Sequence, residues 1–283
     1  MKDNLTIIDS HVHLFSPWAR LNRDELCKKE KAFSLLYKDK KAKMIGEEDL
    51  LRMMDEQRIS KSVILGFPWE DSYLCRKENE YLLETAKQFP ERLIPFITIS
   101  FNDIGAAIEE IKHAIKNNAR GIGELGFYQK RLSTKDIGDM APIMDICKEN
   151  NIPILMHVNE LVGHIYPGKD LKNFRSIYEW IETYPDNKII LAHWGGGMFF
   201  YELMPKVKKL FKNIYYDTAA SPYLYSPQVY KIALSIIGED KIIFGTDYPL
   251  IPPNRYFKEI KEVIPENKIQ AKILGTNIAQ LIF

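Results

Sequence analysis

The chain has 283 residues, 39 basic against 38 acidic side chains, and 46% hydrophobic residues. This composition lies in the globular range and excludes wholesale disorder. A net charge of +1 offers none of the basic excess expected of a nucleic-acid binder, and no apolar run approaches the roughly 18 residues that span a bilayer. The opening Met1-Lys2-Asp3-Asn4 does not read as a signal peptide. Three widely spaced cysteines without a CxxC (Cys27, Cys75 and Cys147) fit a reducing compartment, and Cys147 reads as a small core residue. The expectation is a soluble, cytoplasmic protein with one domain over residues 1–283.

Short β-branched apolar runs alternate with longer amphipathic segments. The predicted strands are Thr6–Leu14, Ser62–Phe67, Leu93–Ser100, Arg120–Gly126, Ile152–Val158, Lys188–Trp194, Ile214–Ala219 and Lys241–Asp247. Most are continuous apolar stretches, as expected of parallel strands covered on both faces. Helical patterns fall at Glu47–Gln57, Arg76–Phe89, Asp103–Asn117, Lys135–Asn150, Leu171–Tyr184, Met198–Phe211 and Pro227–Gly238, with a final pair at Arg255–Val263 and Glu266–Leu274. Asp103 is placed to cap the third. Strict alternation with eight strands predicts a (β/α)8 TIM barrel. A doubly wound open sheet is the runner-up, weakened because the turn after the first strand reads Asp9-Ser10-His11-Val12-His13 and holds no glycine-rich phosphate loop. The one irregularity is an extended excursion, Phe15–Gly46, rich in lysine. It follows strand one, so it reads either as a solvated helical face or as a partial lid over the barrel mouth.

Four of the six histidines (His11, His13, His157 and His193) stand at the C-terminal ends of predicted strands, where enzymes on this fold place their chemistry. His11 and His13 are two residues apart on one strand, so both rings point to the same face and can grip one ion. Asp247 ends strand eight in Gly245-Thr246-Asp247, where a buried carboxylate needs a partner: a metal ion, or water bound to one. Glu124 ends strand four between glycines and reads as a bridge between two ions or as an acid orienting a histidine. Asp9 shares the inward parity of His11, as a further ligand or an anchor. His113 reads as a surface residue. The loop after His157 carries Asn159, His164 and Tyr166, and Trp194 follows His193; these are the candidate substrate-binding residues, with Tyr223, Tyr248 and Trp69 as further aromatic wall or plain packing.

Together, Asp9-x-His11-x-His13, Glu124, His157, His193, Gly-Thr-Asp247 and the closing Leu274-Gly275-Thr276-Asn277-Ile278-Ala279 resemble the amidohydrolase superfamily over essentially the whole chain. The branch most similar holds metal-dependent hydrolases and aromatic-acid decarboxylases. The resemblance implies that His11, His13 and Asp247 hold a first metal. His157 and His193 would hold a second or, in one-metal members, His157 would join the first site and His193 would act as acid/base. The lysine carboxylated in many two-metal members has no counterpart, and Glu124 stands at about its strand, as in TatD-like members. A divalent cofactor is therefore expected, Zn2+ first and Mn2+ second, as one ion or two. The ion would acidify water and Asp247 would take its proton, with attack on an amide, ester or lactone carbonyl. The alternative is non-oxidative decarboxylation of a small aromatic or unsaturated acid, with Asp247 or His193 protonating carbon; an idle barrel is third. A pocket arginine (Arg20, Arg131, Arg175 or Arg255) would favour the decarboxylase, and two ions bridged by Glu124 the hydrolase. The expected partner is a small-molecule substrate, with no nucleic acid and no membrane; a homodimer is left open.

Overall fold

The computed structural model describes residues 5–128 and 130–283; the Met1–Asn4 segment read above as no signal peptide lies outside them. Eight parallel strands follow one another around a single sheet: β1 (Ile8–His13), β2 (Lys61–Leu65), β3 (Leu93–Ile97), β4 (Gly121–Leu125), β5 (Ile154–Met156), β6 (Ile189–Leu191), β7 (Ile214–Asp217) and β8 (Ile242–Ile243). Every neighbouring pair is in sequence order, the connectivity of a (β/α)8 barrel. The seam between β8 and β1 is carried by backbone bonds past the end of β8: Ser10 N to Phe244 O, Asp247 N to His11 O and His13 N to Tyr248 O. All eight expected strands form, several shorter than their apolar runs, because the last residues of each run leave the ladder to reach the mouth.

Inside the barrel Ile8, Val63, Leu65, Phe96, Leu155 and Ile243 share one buried cluster with Ile278, Leu281 and Ile282 of the last helix, Asn277–Ile282. That helix packs on β1 and β8, so the end opposite the strands' C-termini is filled by side chains and the polar chemistry is confined to the mouth. A larger cluster, including Cys147, Trp180 and Tyr230, lies between strands and outer helices.

Helix boundaries depart from expectation where local signals compete with periodicity. The span Lys135–Asn150 is two helices, Thr134–Asp139 and Ala141–Glu149; the second restarts with proline in its first turn. Met198–Phe211 is no single helix: a left-handed turn over His193–Gly197 leads into tight 3-10 turns that end at Leu203, followed by a short α-helix, Pro205–Leu210. Glu266–Leu274 becomes a short helix, Asn267–Ala271, and a π-turn, Lys272–Thr276. Asp103 does cap its helix, accepting from Ala106 N at 2.9 Å. Among the described residues no helix is long and apolar enough to cross a membrane.

The excursion after β1 folds into three short helices, Pro17–Leu21, Arg23–Lys29 and Lys31–Tyr37. Its seven lysines are exposed, while Phe15, Phe33, Phe67 and Trp69 are buried beneath it. Polar clamps fix it to the barrel. Glu78 accepts from Ser16 Oγ at 2.7 Å and Ser16 N at 3.1 Å, and Glu30 accepts from the amides of Glu70 and Asp71. The solvated face is there in the exposed lysines, and the inner face packs on an aromatic cluster.

Candidate metal centre

The strand ends bring the predicted residues together in two triads, His11–His13–Asp247 and Glu124–His157–His193. His11 Nε2 and His13 Nε2 are 3.2 Å apart, His157 Nδ1 and His193 Nε2 3.1 Å, and His13 Nε2 and Asp247 Oδ1 3.4 Å. Glu124 joins the triads. Its Oε1 is 2.9 Å from His157 Nδ1, 3.5 Å from His193 Nε2 and 3.8 Å from His11 Nε2, and its Oε2 is 3.6 Å from His13 Nε2. Local backbone makes that approach possible: Gly123, at φ +139°, packs so tightly that a Cβ there would stand 2.5 Å from the carbonyl oxygen of Leu155.

Each histidine has its outward nitrogen committed. His11 Nδ1 lies 2.8 Å from Asp217 Oδ2, His13 Nδ1 3.2 Å from the Gly66 carbonyl, His193 Nδ1 3.0 Å from the Ala219 carbonyl, and His157 Nε2 3.1 Å from Asn159 Oδ1. All four partners are acceptors, so each outward nitrogen carries the hydrogen and each inward nitrogen a lone pair. Four lone pairs and two carboxylates then converge with no donor among them. Metal–ligand bonds of about 2.1 Å give donor–donor edges of about 3.0 to 3.4 Å in octahedral or tetrahedral geometry, the spacing seen here within a few tenths of an ångström. The residues fit a divalent cation.

The electrostatics point the same way. Burial alone pulls His11 down, but the carboxylates of Glu124 and Asp217 outweigh it and lift the ring to about 10. Burial likewise lowers His193, and Glu124 overrides it to about 9. Burial holds His13 below its ordinary value, against the pull of Asp247 and with the charge on His11 adding to the drop. Burial raises Glu124, yet the charges of His157 and His11 drive it well below the usual carboxylate range. The centre draws positive charge, and protons take the place of an ion when none is bound.

Other predicted residues fall elsewhere. Asp9 is an anchor and touches none of the four rings among the described residues: it accepts from Thr246 Oγ1 at 2.6 Å, Thr246 N at 3.0 Å and His11 N at 3.2 Å, stitching the seam. Burial pushes it up to about 7 in spite of those bonds. Trp194 is fully buried and stands edge-on to Tyr230, with its indole nitrogen donating to Ser221 Oγ at 2.8 Å. It serves the core where a substrate contact was expected, because the chain after β6 turns left-handed at His193 and Trp194 (φ 57° and 59°) and swings the indole inward. His164 is exposed, while Asn159 and Tyr166 belong to a hydrogen-bonded chain behind His157. Trp69 is buried with Phe33 and Phe67, Tyr223 is exposed, and Tyr248 is half-buried. His113 is on the surface beside Glu80. Of the four arginines, Arg131 is exposed and Arg175 pairs with Glu179 on an outer helix. Arg20 packs over Gly46, and Arg255 donates to the Pro222 carbonyl.

Three residues escaped the sequence. Asp217, fully buried at the end of β7, binds His11 Nδ1 with Oδ2 while Oδ1 accepts from His193 N at 2.8 Å and Ala219 N at 3.0 Å. Its signal was present: Ile214-Tyr215-Tyr216-Asp217 delivers an acid to a strand end just as the runs before Glu124 and Asp247 do. Tyr37, from the excursion, and Tyr128, after β4, complete the mouth. Tyr128 lies 4.9 Å from the His157 ring and stacks on Phe67, which meets Tyr37 edge-on at 6.0 Å. Burial raises both phenols, and the charges of Glu124 and Asp247 raise them further, so both stay protonated beside the centre. Neither hydroxyl has a hydrogen-bond partner among the described residues.

Fold and site define a barrel enzyme with a candidate metal centre at the mouth. The family model described as Amidohydrolase matches residues 8–283, and the chain belongs to that family. Among solved structures it is similar to the 5-carboxyvanillate decarboxylase of Sphingomonas paucimobilis, with a TM-score of 0.78, 15% identity, and 98% of this chain and 99% of that one covered. It is also similar to a dihydroxybenzoic acid decarboxylase from Polaromonas carrying manganese and 2-nitroresorcinol, with a TM-score of 0.77, 20% identity, and coverage of 98% and 96%. A probable 2-pyrone-4,6-dicarboxylic acid hydrolase from Acinetobacter baumannii follows, with a TM-score of 0.69, 16% identity, and coverage of 98% and 99%. At these identities the likeness is one of fold.

Proposed function

We propose that this protein is a metal-dependent, non-oxidative decarboxylase of a small aromatic or unsaturated carboxylic acid. The observation that carries the reading is the aromatic cover: Phe67 and Tyr128, stacked on each other, and Tyr37, edge-on to Phe67, form an aromatic wall beside His157 of the cage, and neither phenol hydroxyl has a hydrogen-bond partner among the described residues. Such a wall suits a planar ring whose carboxylate reaches the cage. Decarboxylases predominate among the structural neighbours named, which supports the same choice. No arginine stands buried at the centre among the described residues, so the substrate's negative charge falls to the cofactor.

When bound, a divalent ion (Mn2+ or Zn2+) supplies the positive charge that holds the carboxylate and an adjacent oxygen. His11, His13, His157 and Glu124 would hold that ion, and the aromatic wall would keep water from the ring face. Asp247 is the proton carrier. Its side chain is 18% exposed against 0–13% for the other five cage members, so of the six it is the most open to the mouth while still touching the cage. The carbon–carboxylate bond breaks, carbon dioxide leaves, and a proton from Asp247 replaces it on carbon.

The placement of Glu124 favours one second reading. Its oxygens reach both triads, as a bridge between two ions would, and two ions would favour attack of activated water on an ester or lactone. Assays of purified, metal-analysed protein separate the two: carbon dioxide release from hydroxylated benzoates, against acid release from lactones and esters. Tyr37→Phe and Tyr128→Phe are expected to weaken use of ring-hydroxylated acids by about tenfold each, the worth of a hydrogen bond. Turnover of lactones but of no carboxylic acid overturns the proposal.

A further inference from the structure

Three cage histidines present Nε2 to the centre; His157 presents Nδ1. We propose that Asn159, itself fixed by the backbone of Asp170, is a positioning residue that sets this reversed orientation of His157. The inference rests on the reading of the cage as a metal centre.

The argument follows the hydrogens. The two heavy atoms of an amide side chain can be exchanged without changing its shape, but a backbone N–H only donates. Asp170 N lies 2.8 Å from Asn159 Oδ1, which fixes that atom as the oxygen. The same oxygen is 3.1 Å from His157 Nε2, so that nitrogen carries the hydrogen and Nδ1 keeps its lone pair. The other end of the amide is equally committed. Asn159 Nδ2 donates to the Tyr166 hydroxyl at 3.0 Å, Tyr166 donates to Glu160 Oε2 at 3.0 Å, and Glu160 Oε1 accepts from Lys169 Nζ at 2.8 Å. Lys169 is buried at 1% exposure and also binds the carbonyls of Val162 and His164. Each link in the chain sets a donor against an acceptor, and reversing Asn159 would set two donors face to face at Asp170 N. Without Asn159 Oδ1 the ring would move its hydrogen to Nδ1, where Glu124 Oε1 waits at 2.9 Å, and would turn that hydrogen on the ion.

The test uses the metal-free wild-type protein, Asn159→Leu and Asn159→Asp, with the spectra taken above pH 10, where protons no longer fill the cage. Nitrogen-15 spectra of labelled histidine read the tautomer, and chelator competition reads affinity for Mn2+ and Zn2+. Wild type is expected to carry the hydrogen on Nε2 of His157. Asn159→Leu should shift it to Nδ1 and weaken metal binding by about 10- to 100-fold, while Asn159→Asp, which keeps an acceptor, stays within about threefold of wild type. A wild-type spectrum with the hydrogen on Nδ1 overturns the inference, as do equal losses in both variants or no loss in either. If Asn159→Leu does not fold, the wild-type spectrum and Asn159→Asp decide. Failure of wild type to bind either ion would remove the metal reading, and the tautomer would still judge Asn159.

Discussion

Replacing Asp217 with Asn tests how the cage keeps its lone pairs pointed inward. The carboxylate makes three short contacts while fully buried: His11 Nδ1 at 2.8 Å on one oxygen, and the amides of His193 (2.8 Å) and Ala219 (3.0 Å) on the other. An asparagine has one oxygen. If that oxygen keeps the two amides, its NH2 faces His11 Nδ1, two donors meet, and His11 relieves the conflict by moving its hydrogen to Nε2, directly where an ion would bind. If the oxygen turns to His11 instead, two buried amides lose their acceptor. Either way a charge-assisted bond worth roughly 1.5–3 kcal/mol is lost. At about 1.4 kcal/mol per decade that is a 10- to 100-fold weaker affinity for Mn2+ or Zn2+. Chelator competition on purified Asp217→Asn measures it, with circular dichroism as the check on folding. Wild-type affinity in a folded Asp217→Asn, accompanied only by a lower Tm, would refute the reasoning and leave Asp217 as a stitch between β6 and β7.

Two predictions address the scaffold. Gly196 (φ +58°) abuts the Asn159 carbonyl, where a Cβ would stand 2.3 Å from oxygen, whereas the nearest atom to a Cβ at Gly197 (φ +88°) is the Tyr225 hydroxyl at 3.7 Å. Gly197→Ala should cost about 1 kcal/mol for the left-handed backbone, and Gly196→Ala clearly more, read as two unequal drops in Tm; equal drops would show that the close approach is absent. Burial raises Glu78 above its ordinary 4.5, although its bonds from Ser16 oppose the shift. Its contribution is therefore fully present below pH 4.5 and is lost as pH rises through the folded-state value. Glu78→Gln should flatten the fall in Tm above that pH, and parallel Tm profiles for variant and wild type would count against the assignment.

What the sequence made legible was whatever a strand carries by itself. Continuous apolar runs ending in a polar residue marked His11, His13, Glu124, His157, His193 and Asp247, since such a run must become a buried strand whose last side chain emerges at the barrel mouth. Asp217 carried the same signal, unread because its run is rich in tyrosine. Periodicity failed where punctuation outranked it: Gly195-Gly196-Gly197 permits five consecutive left-handed residues from His193, and Pro205 restarts the chain as an α-helix, so the apolar pattern over Met198–Phe211 is not one helix. Tyr37 had no local signal at all. It reaches the mouth only because Arg23 binds the carbonyls of Tyr37, Asp39 and Ala42 and turns the excursion back on itself.

The mouth and the floor of this barrel follow opposite rules. At the floor, Ile278, Leu281 and Ile282 close the interior with apolar contacts that are satisfied in any ligand state. At the mouth, Asp9 ties Thr246 to His11, Asp217 ties His11 to His193, and Asn159 ties His157 to Asp170. None of these three anchors is among the six groups that line the cage, yet each fixes a group whose neighbours repel it. Six acceptors within hydrogen-bonding range would spread apart or fill with protons if their supports were loose. Rigid supports hold the repulsion in place, which is the arrangement a divalent cation would neutralise. Strain of that kind lies at His193 and Trp194, non-glycine residues at positive φ held by Asp217 and Ser221. The same interior that makes the fold stable thereby supports a site that draws positive charge, as protons or, on the reading proposed above, as an ion.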